Sequence, residues 1–146
     1  CPMTIVRHIL DKKGQLVWTI RPDDTVFAAI EEMARKDVGA LVVVENGDPI
    51  GIFTERHYAR DVFLKGRSSP TTVVKDVMRT GFPYVTPERT VEECMAIMTA
   101  ERVRHLPVMD DGNLVGLISI GDLVNSIIED REFVIDQLTN YITRTR

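Results

Sequence analysis

The chain is poor in several things, and each shortage removes a class of function. It has 2 cysteines in 146 residues, too few for a disulfide framework, so a reducing, cytoplasmic setting is expected. It has no excess of basic charge: the net charge is −4, and a protein whose main work is neutralising nucleic-acid phosphates wants the opposite sign. Long hydrophobic runs are missing. The stretch Ala40 to Val44 is strand-sized, so no membrane span is expected. The N-terminus lacks a positively charged region followed by a long apolar one, the pattern of a secretory signal, and Met3 reads as the natural start behind Cys1 and Pro2. The 3 histidines, His8, His57 and His105, are scattered, with no zinc spacing, no Gly-rich phosphate loop and no Ser/His/Asp or Cys/His set. A non-catalytic protein is expected. Cys94 falls on an apolar helical face with Val91, Met95 and Met98, which reads as an inert core thiol.

What is present is a duplication. Displaced by 65 positions, the chain matches itself without a gap: Pro22 falls on Pro87, Thr25 on Thr90, Val26 on Val91, Met33 on Met98, Leu41 on Leu106, Gly47 on Gly112 and Gly51 on Gly116. These are turn, core and cap positions in one register, so two copies of one unit are expected, each burying its open face on the other. Each unit reads β-α-β-β-α. A short β-rich piece ("LVWTI", then "PYVT") precedes an amphipathic helix, a hairpin with Gly47 or Gly112 at its turn, and a closing helix. Thr90 with Glu93 spells a capping box, whereas Thr25 has Ala28 three places on. The boundaries expected are a lead-in over 1–15, repeat one over 16–66, a polar linker over 67–79, repeat two over 80–130 and a helical extension over 131–146. "VVKDVM" (73–78) looks like a short helical turn before repeat two, with "TIVRHIL" (4–10) as its counterpart before repeat one. Beyond Asp122 the helical pattern runs on through Val124, Ile127, Ile128, Ile135, Leu138 and Ile142. An apolar stripe of that length suggests a helix packing on a partner chain.

The stretch "SIGDLV" carries the functional question. Ser119 and Asp122, three apart, make a capping box, which satisfies two orphan helix N–H groups. The same pair can serve a ligand: a carboxylate can accept hydrogen bonds from two adjacent ribose hydroxyls while the serine meets phosphate. Repeat one has Thr54 and His57 at these places, and a neutral imidazole is a poor replacement for a capping carboxylate. Cations gather near the junctions. Arg56 and Arg60 are four apart on one helix face, and Arg102, Arg104 and His105 precede a strand of repeat two. Guanidinium forks and exposed amides suit an anion, while each arginine alone is equally consistent with a solvated surface charge.

Two stretches, "TIRPDDTVFAAIEEMARKDVGALVVVENGDPIGIFTERHYARDV" and "YVTPERTVEECMAIMTAERVRHLPVMDDGNLVGLISIGDLV", together resemble a tandem cystathionine-β-synthase (CBS) domain pair, or Bateman module. The resemblance implies an α+β fold with two repeats about a pseudo-twofold axis and two clefts that take adenosyl ligands: AMP foremost, with ADP, ATP, NAD(H) or S-adenosylmethionine as other members. It also implies a homodimer and a separate target protein that reads the ligand state. Carried over by position, the second site uses Ser119 and Asp122, with Val85 and the Arg104–His105–Leu106 backbone around the base. The first uses Thr54, with Thr19, Ile20, Gly39 and Ala40 near the base and Arg56 and Arg60 near phosphate. His57 departs from the family's Asp. The first site is therefore expected to be empty, to take a ligand with an additional phosphate, or to depend on pH, and the second to be the tighter. A scaffold with vestigial clefts is the competing reading.

Overall fold

The computed structural model describes residues 4–14 and 17–145, with side chains up to residue 140; Cys1, Met3 and Leu16 and the side chain of Ile142 lie outside the described residues. The order is α1 (Val6–Lys13), β1 (Thr19–Ile20), α2 (Val26–Lys36), β2 (Ala40–Glu45), β3 (Asp48–Thr54), α3 (Glu55–His57, running on as π-helix over Tyr58–Phe63), a 3-10 turn (Val74–Asp76), α4 (Val91–Glu101), β4 (His105–Asp110), β5 (Asn113–Ser119) and α5 (Ile120–Thr145). It is the expected α+β fold of two β-α-β-β-α repeats about a pseudo-twofold axis, with an extended C-terminal helix.

The 65-residue register survives in the backbone. Asn46 and Gly47 both have positive φ, as do Asp111 and Gly112. Each pair is the two-residue type I′ turn that matches strand twist. Asp37 and Arg102 end their helices in the left-handed region with φ of 54° and 56°. Both hairpins are antiparallel and both carry a register shift at the same place, Val43/Val44 and Val108/Met109. Thr25 caps α2 alone, and Thr90 with Glu93 closes a full capping box on α4.

One expected element is reduced. In repeat one, β1 pairs in parallel with β2, and the Val42 N–H donates to the Trp18 carbonyl. The equivalent of Val42 in repeat two is Pro107, which has no N–H to give. "PYVT" is therefore not a strand. It is a single bridge at Val85, whose N–H donates to Pro107 O (3.0 Å) and whose carbonyl accepts from Met109 N (2.9 Å).

The lead-in segments cross. Val6, Ile9 and Leu10 of α1, which precede repeat one, are buried in the core of repeat two with Val91, Cys94, Met98, Leu106, Val108, Ile118 and Leu123. Val74 and Val77, which precede repeat two, are buried in the core of repeat one with Val26, Met33, Leu41, Phe53 and Val62. The hydrogen bonds repeat as well. Val6 N–H donates to Arg89 O and Arg7 N–H to Pro87 O; Val74 N–H donates to Asp24 O and Lys75 N–H to Pro22 O. Each repeat is thus completed by the segment ahead of the other. Cys94 is fully buried, and burial pushes its thiol up to about 11, which fits a core residue.

The repeated glycines follow from this crossing. A Cβ at Gly116 would stand 2.5 Å from Leu10 Cδ2, and one at Gly51 would stand 2.6 Å from Met78 Sδ. Each lead-in lies so close over the third strand of its repeat that only a glycine leaves room. Gly116→Ala is expected to lower stability by about 1–3 kcal/mol, and Leu10→Val to recover part of that loss in the double variant, both read from urea denaturation midpoints. Additive losses would show that Gly116 and Leu10 are not coupled.

Candidate functional site

The strand-to-helix junction is built identically in both repeats. The Glu55 N–H donates to Gly39 O at 3.1 Å, and the Ile120 N–H donates to Arg104 O at 2.9 Å, so the start of β2 or β4 is tied to the start of the closing helix. In repeat two the Ser119 hydroxyl accepts from the Asp122 N–H (3.1 Å) and Asp122 Oδ2 accepts from the Ser119 N–H (2.9 Å). In repeat one the Thr54 hydroxyl accepts from the His57 N–H (3.2 Å) and His57 Nδ1 accepts from the Thr54 N–H (3.2 Å). The expectation that an imidazole would cap poorly is corrected: its unprotonated nitrogen reaches the same N–H as the carboxylate does. Burial lowers the His57 pKa and so preserves that acceptor.

Between the repeats lies a cleft of about 340 Å³, within the ordinary range of about 300–1,000 Å³ for small-molecule sites. Repeat one supplies Gly39, Thr54, His57 and the arginines Arg56 and Arg60; repeat two supplies Arg102, Arg104 and His105; the linker supplies Arg79, and the start of repeat two Phe82 and Pro83. Two carboxylates line it, Glu55 and Glu101, and Glu101 is bonded to Arg79 at 3.2 Å. Arg56, Arg60, Arg102 and Arg104 form no ion pair among the described residues. A cleft with five arginines and two glutamates, walled on one side by Ile52 and Phe82, favours an anion attached to an apolar body.

His105 stands at the meeting of the two strand starts, 3.6 Å from where a Gly39 Cβ would be. Burial, aided by the nearby charges of Lys13 and Arg104, pushes it down to about 4.

Asp122 lies outside this cleft. Its Oδ2 also receives the Lys13 ammonium at 2.7 Å, and Lys13 donates as well to Leu117 O at 3.0 Å. The equivalent carbonyl in repeat one, Ile52 O, accepts instead from the Arg79 N–H at 2.9 Å. Asp122 and Lys13 border a larger groove of about 630 Å³ between α1 and α5. Its polar groups largely satisfy one another: Lys12 pairs with Glu129, and the Thr4 hydroxyl donates to Asp130.

The residues expected to form two separate sites are therefore regrouped. Thr54, His57, Arg56, Arg60 and Gly39 come together, and Arg104 and His105, expected beside Ser119, share their cleft. Thr19 and Ile20 line a shallow pocket at the Asn46–Gly47 turn. Ala40, Val85 and Leu106 are buried in strands or bridges, so their side chains are closed to a ligand, and the N–H and carbonyl of Val85 are already bonded to β4. Sequence reasoning passed over Arg79 and Lys13. Each is brought to its cleft by a crossed lead-in, which no local pattern announces.

Comparison with known proteins agrees with this geometry. The family model for the CBS domain matches residues 7–63 and 74–129. A mitochondrial CBS domain-containing protein of Arabidopsis thaliana, CBSX3, is 40% identical over 95% of this chain and 72% of its own length. The crystal structure of the CBS domain NE2398 superposes with a TM-score of 0.83 at 46% identity, covering 87% of this chain and 99% of that one. A hexameric CBS-CP12 protein from bloom-forming cyanobacteria does so with a TM-score of 0.76 at 30% identity, over 84% and 71%. Among the described residues no helix is long and apolar enough to cross a membrane.

Both cleft imidazoles lie below the ordinary histidine value of 6.5. Between that value and about 4 the unfolded chain takes up a proton at His105 that the native protein refuses. Stability is then full above pH 6.5 and falls as the pH is lowered toward 4. Urea midpoints measured from pH 7 to 4.5 are expected to decline, and His105→Gln to flatten the decline. An equal slope in that variant would place the titration elsewhere.

Proposed function

This chain belongs to the CBS-domain family, and from that premise we propose that it is a non-catalytic sensor of adenine nucleotides that signals to a separate protein. CBS pairs are generally regulatory modules and often bind nucleotides. The observation that carries the reading is the arginine-rich cleft at the junction of the two repeats, with a capping box at its edge.

The roles follow from chemistry. In the first cleft Thr54 meets the ligand at the strand end, Arg56 and Arg60 hold phosphate, and the main chain of Gly39 and Ala40 borders the base; Thr19 and Ile20, which line a separate pocket, take no part. In the second, Asp122 accepts from the ribose hydroxyls and Ser119 meets phosphate or ribose; Val85, whose N–H and carbonyl are both bonded to β4, offers the base no polar contact, and Arg104 and His105 line the first cleft. AMP is the first candidate ligand; ADP, ATP and NAD(H) share the adenosyl group. Lys13 already holds Asp122 Oδ2, so a sugar at that carboxylate shares it with the lysine or displaces it. A ligand that changes this contact changes how α1 sits on α5, which is a differential interaction of the kind a sensor needs.

Helix α5 leaves Ile128, Phe133, Ile135 and Leu138 exposed, from 47% to 64%. That apolar surface supports a homodimer, the assembly in which such a helix is covered. It also favours the second reading, an oligomerisation module whose clefts are vestigial.

Titration calorimetry with AMP separates the two. Wild type is expected to bind, and Asp122→Ala to weaken one class of site about 10- to 100-fold, the loss of a charge-assisted hydrogen bond worth about 1.5–3 kcal/mol. Unchanged binding in Asp122→Ala refutes the role given to that carboxylate. Flat titrations with AMP, ADP, ATP and NAD(H) alike would leave the scaffold.

A further inference from the structure

Fourth place in the two capping boxes turns opposite chemistry toward the ligand. Asp122 caps with Oδ2, and its other oxygen is an acceptor. His57 caps with Nδ1. A neutral imidazole that accepts at Nδ1 carries its proton on Nε2, so the ring edge left for a ligand is a donor. The change reverses what a sugar edge meets at that point. Two ribose hydroxyls can both donate to a carboxylate; against a donor edge each can only accept through a lone pair, a neutral bond about half as strong as the charge-assisted one that an anionic oxygen makes there.

The surroundings of His57 are donors too. Arg56, Arg60, Arg79, Arg102 and Arg104 line the same cleft, and only Arg79 is engaged by a carboxylate among the described residues. Repeat two has no such set at its own junction, where Lys13 already neutralises Asp122. The four guanidinium groups outside ion pairs exceed what one 5′-phosphate can occupy, since its three terminal oxygens offer at most three pairs and each pair accepts one fork. Glu55 is, among the described residues, the one carboxylate in the cleft outside an ion pair. It lies near Gly39 and His105, with Oε2 3.8 Å from where a Gly39 Cβ would stand.

We propose that the first cleft binds an adenine nucleotide that carries a phosphate ester on the ribose 2′ or 3′ oxygen as well as its 5′-phosphate, with the His57 Nε2–H and a flanking arginine donating to the additional group. This rests on the reading of the clefts as nucleotide sites and narrows it for one of them. The two halves of the duplication then select different ribose edges: a free diol at Asp122, a phosphorylated one at His57.

The test is calorimetry on the full chain with AMP, NAD+, NADP+, adenosine 3′,5′-bisphosphate and inorganic tripolyphosphate. NADP+ or the bisphosphate is expected to bind about ten- to a hundredfold tighter than NAD+ or AMP at one site per chain, the gain of a charge-assisted donor. Whichever of the two wins identifies the 2′ or the 3′ edge. His57→Asp keeps a capping acceptor, as Asp122 does, and is expected to remove the preference. Arg60→Gln, which lies off the cap and removes a phosphate-holding arginine, is expected to weaken AMP and the ribose-phosphorylated ligands alike and to leave the preference between them in place. Binding of AMP with no such preference overturns this inference and leaves the nucleotide reading standing, with Glu55 as the remaining acceptor for a diol. Tripolyphosphate binding as tightly as NADP+ also overturns it, since the cleft would then read charge alone. A preference that persists in His57→Asp removes the histidine from the site. No binding by any of the nucleotides overturns both readings.

Discussion

Everything in this molecule depends on the crossing of its two lead-in segments. Neither repeat has a closed core of its own. Val6 and Leu10 fill repeat two, and Val74 and Val77 fill repeat one. Burying each fully removes roughly 1.5–3 kcal/mol of side chain from water. Because each plug arrives from in front of the other repeat, the halves cannot separate without opening both cores. That constraint, more than any contact between the sheets, holds the two strand-to-helix junctions face to face. Gly51 and Gly116 are its signature: they lack side chains so that Met78 and Leu10 can lie against the strands.

The clefts are a by-product of this arrangement. Where a lead-in crosses the third strand it ends beside the junction, and its last residues become cleft walls. Arg79 arrives in this way at Thr54 and His57, and Lys13 at Ser119 and Asp122. The pseudo-symmetry extends to the carbonyl at the strand end, taken by a main-chain N–H at Ile52 and by an ammonium at Leu117. One side chain, Lys13, thus performs two tasks that are divided in repeat one. Among the described residues the first cleft keeps four of its five arginines outside ion pairs, whereas the second has spent Lys13 on its own carboxylate.

Much of the fold was legible because the duplication preserves residues whose backbone demands are narrow. Gly47 and Gly112 need a positive φ, Thr25 and Thr90 are caps, and both sets came from the 65-residue register alone. What escaped depended on non-local partners. "PYVT" has strand composition, but its pairing fails at Pro107, a residue on another element. The destination of each lead-in was hidden for the same reason. An apolar face at Val6, Ile9 and Leu10 says that a helix will be buried, never against which copy. The candidate site was legible as a set of residue types and illegible as a grouping, since Arg104 and His105 joined repeat one only through the crossing.

His57 shows why a structural role and a binding role need not compete. A cap requires one acceptor aimed back at the first N–H of its own turn, and both a carboxylate oxygen and an unprotonated ring nitrogen meet that requirement at about 3 Å. The local fold therefore places no restriction on what the rest of the side chain presents. In Asp122 the remainder is an acceptor, and in His57 it is a donor. Duplication supplied two copies of one junction, and the cap preserved its geometry while the outward chemistry was free to change. The atoms that cap and the atoms that face outward are different atoms of the same residue, so one half can change the chemistry it presents without loosening the shared core.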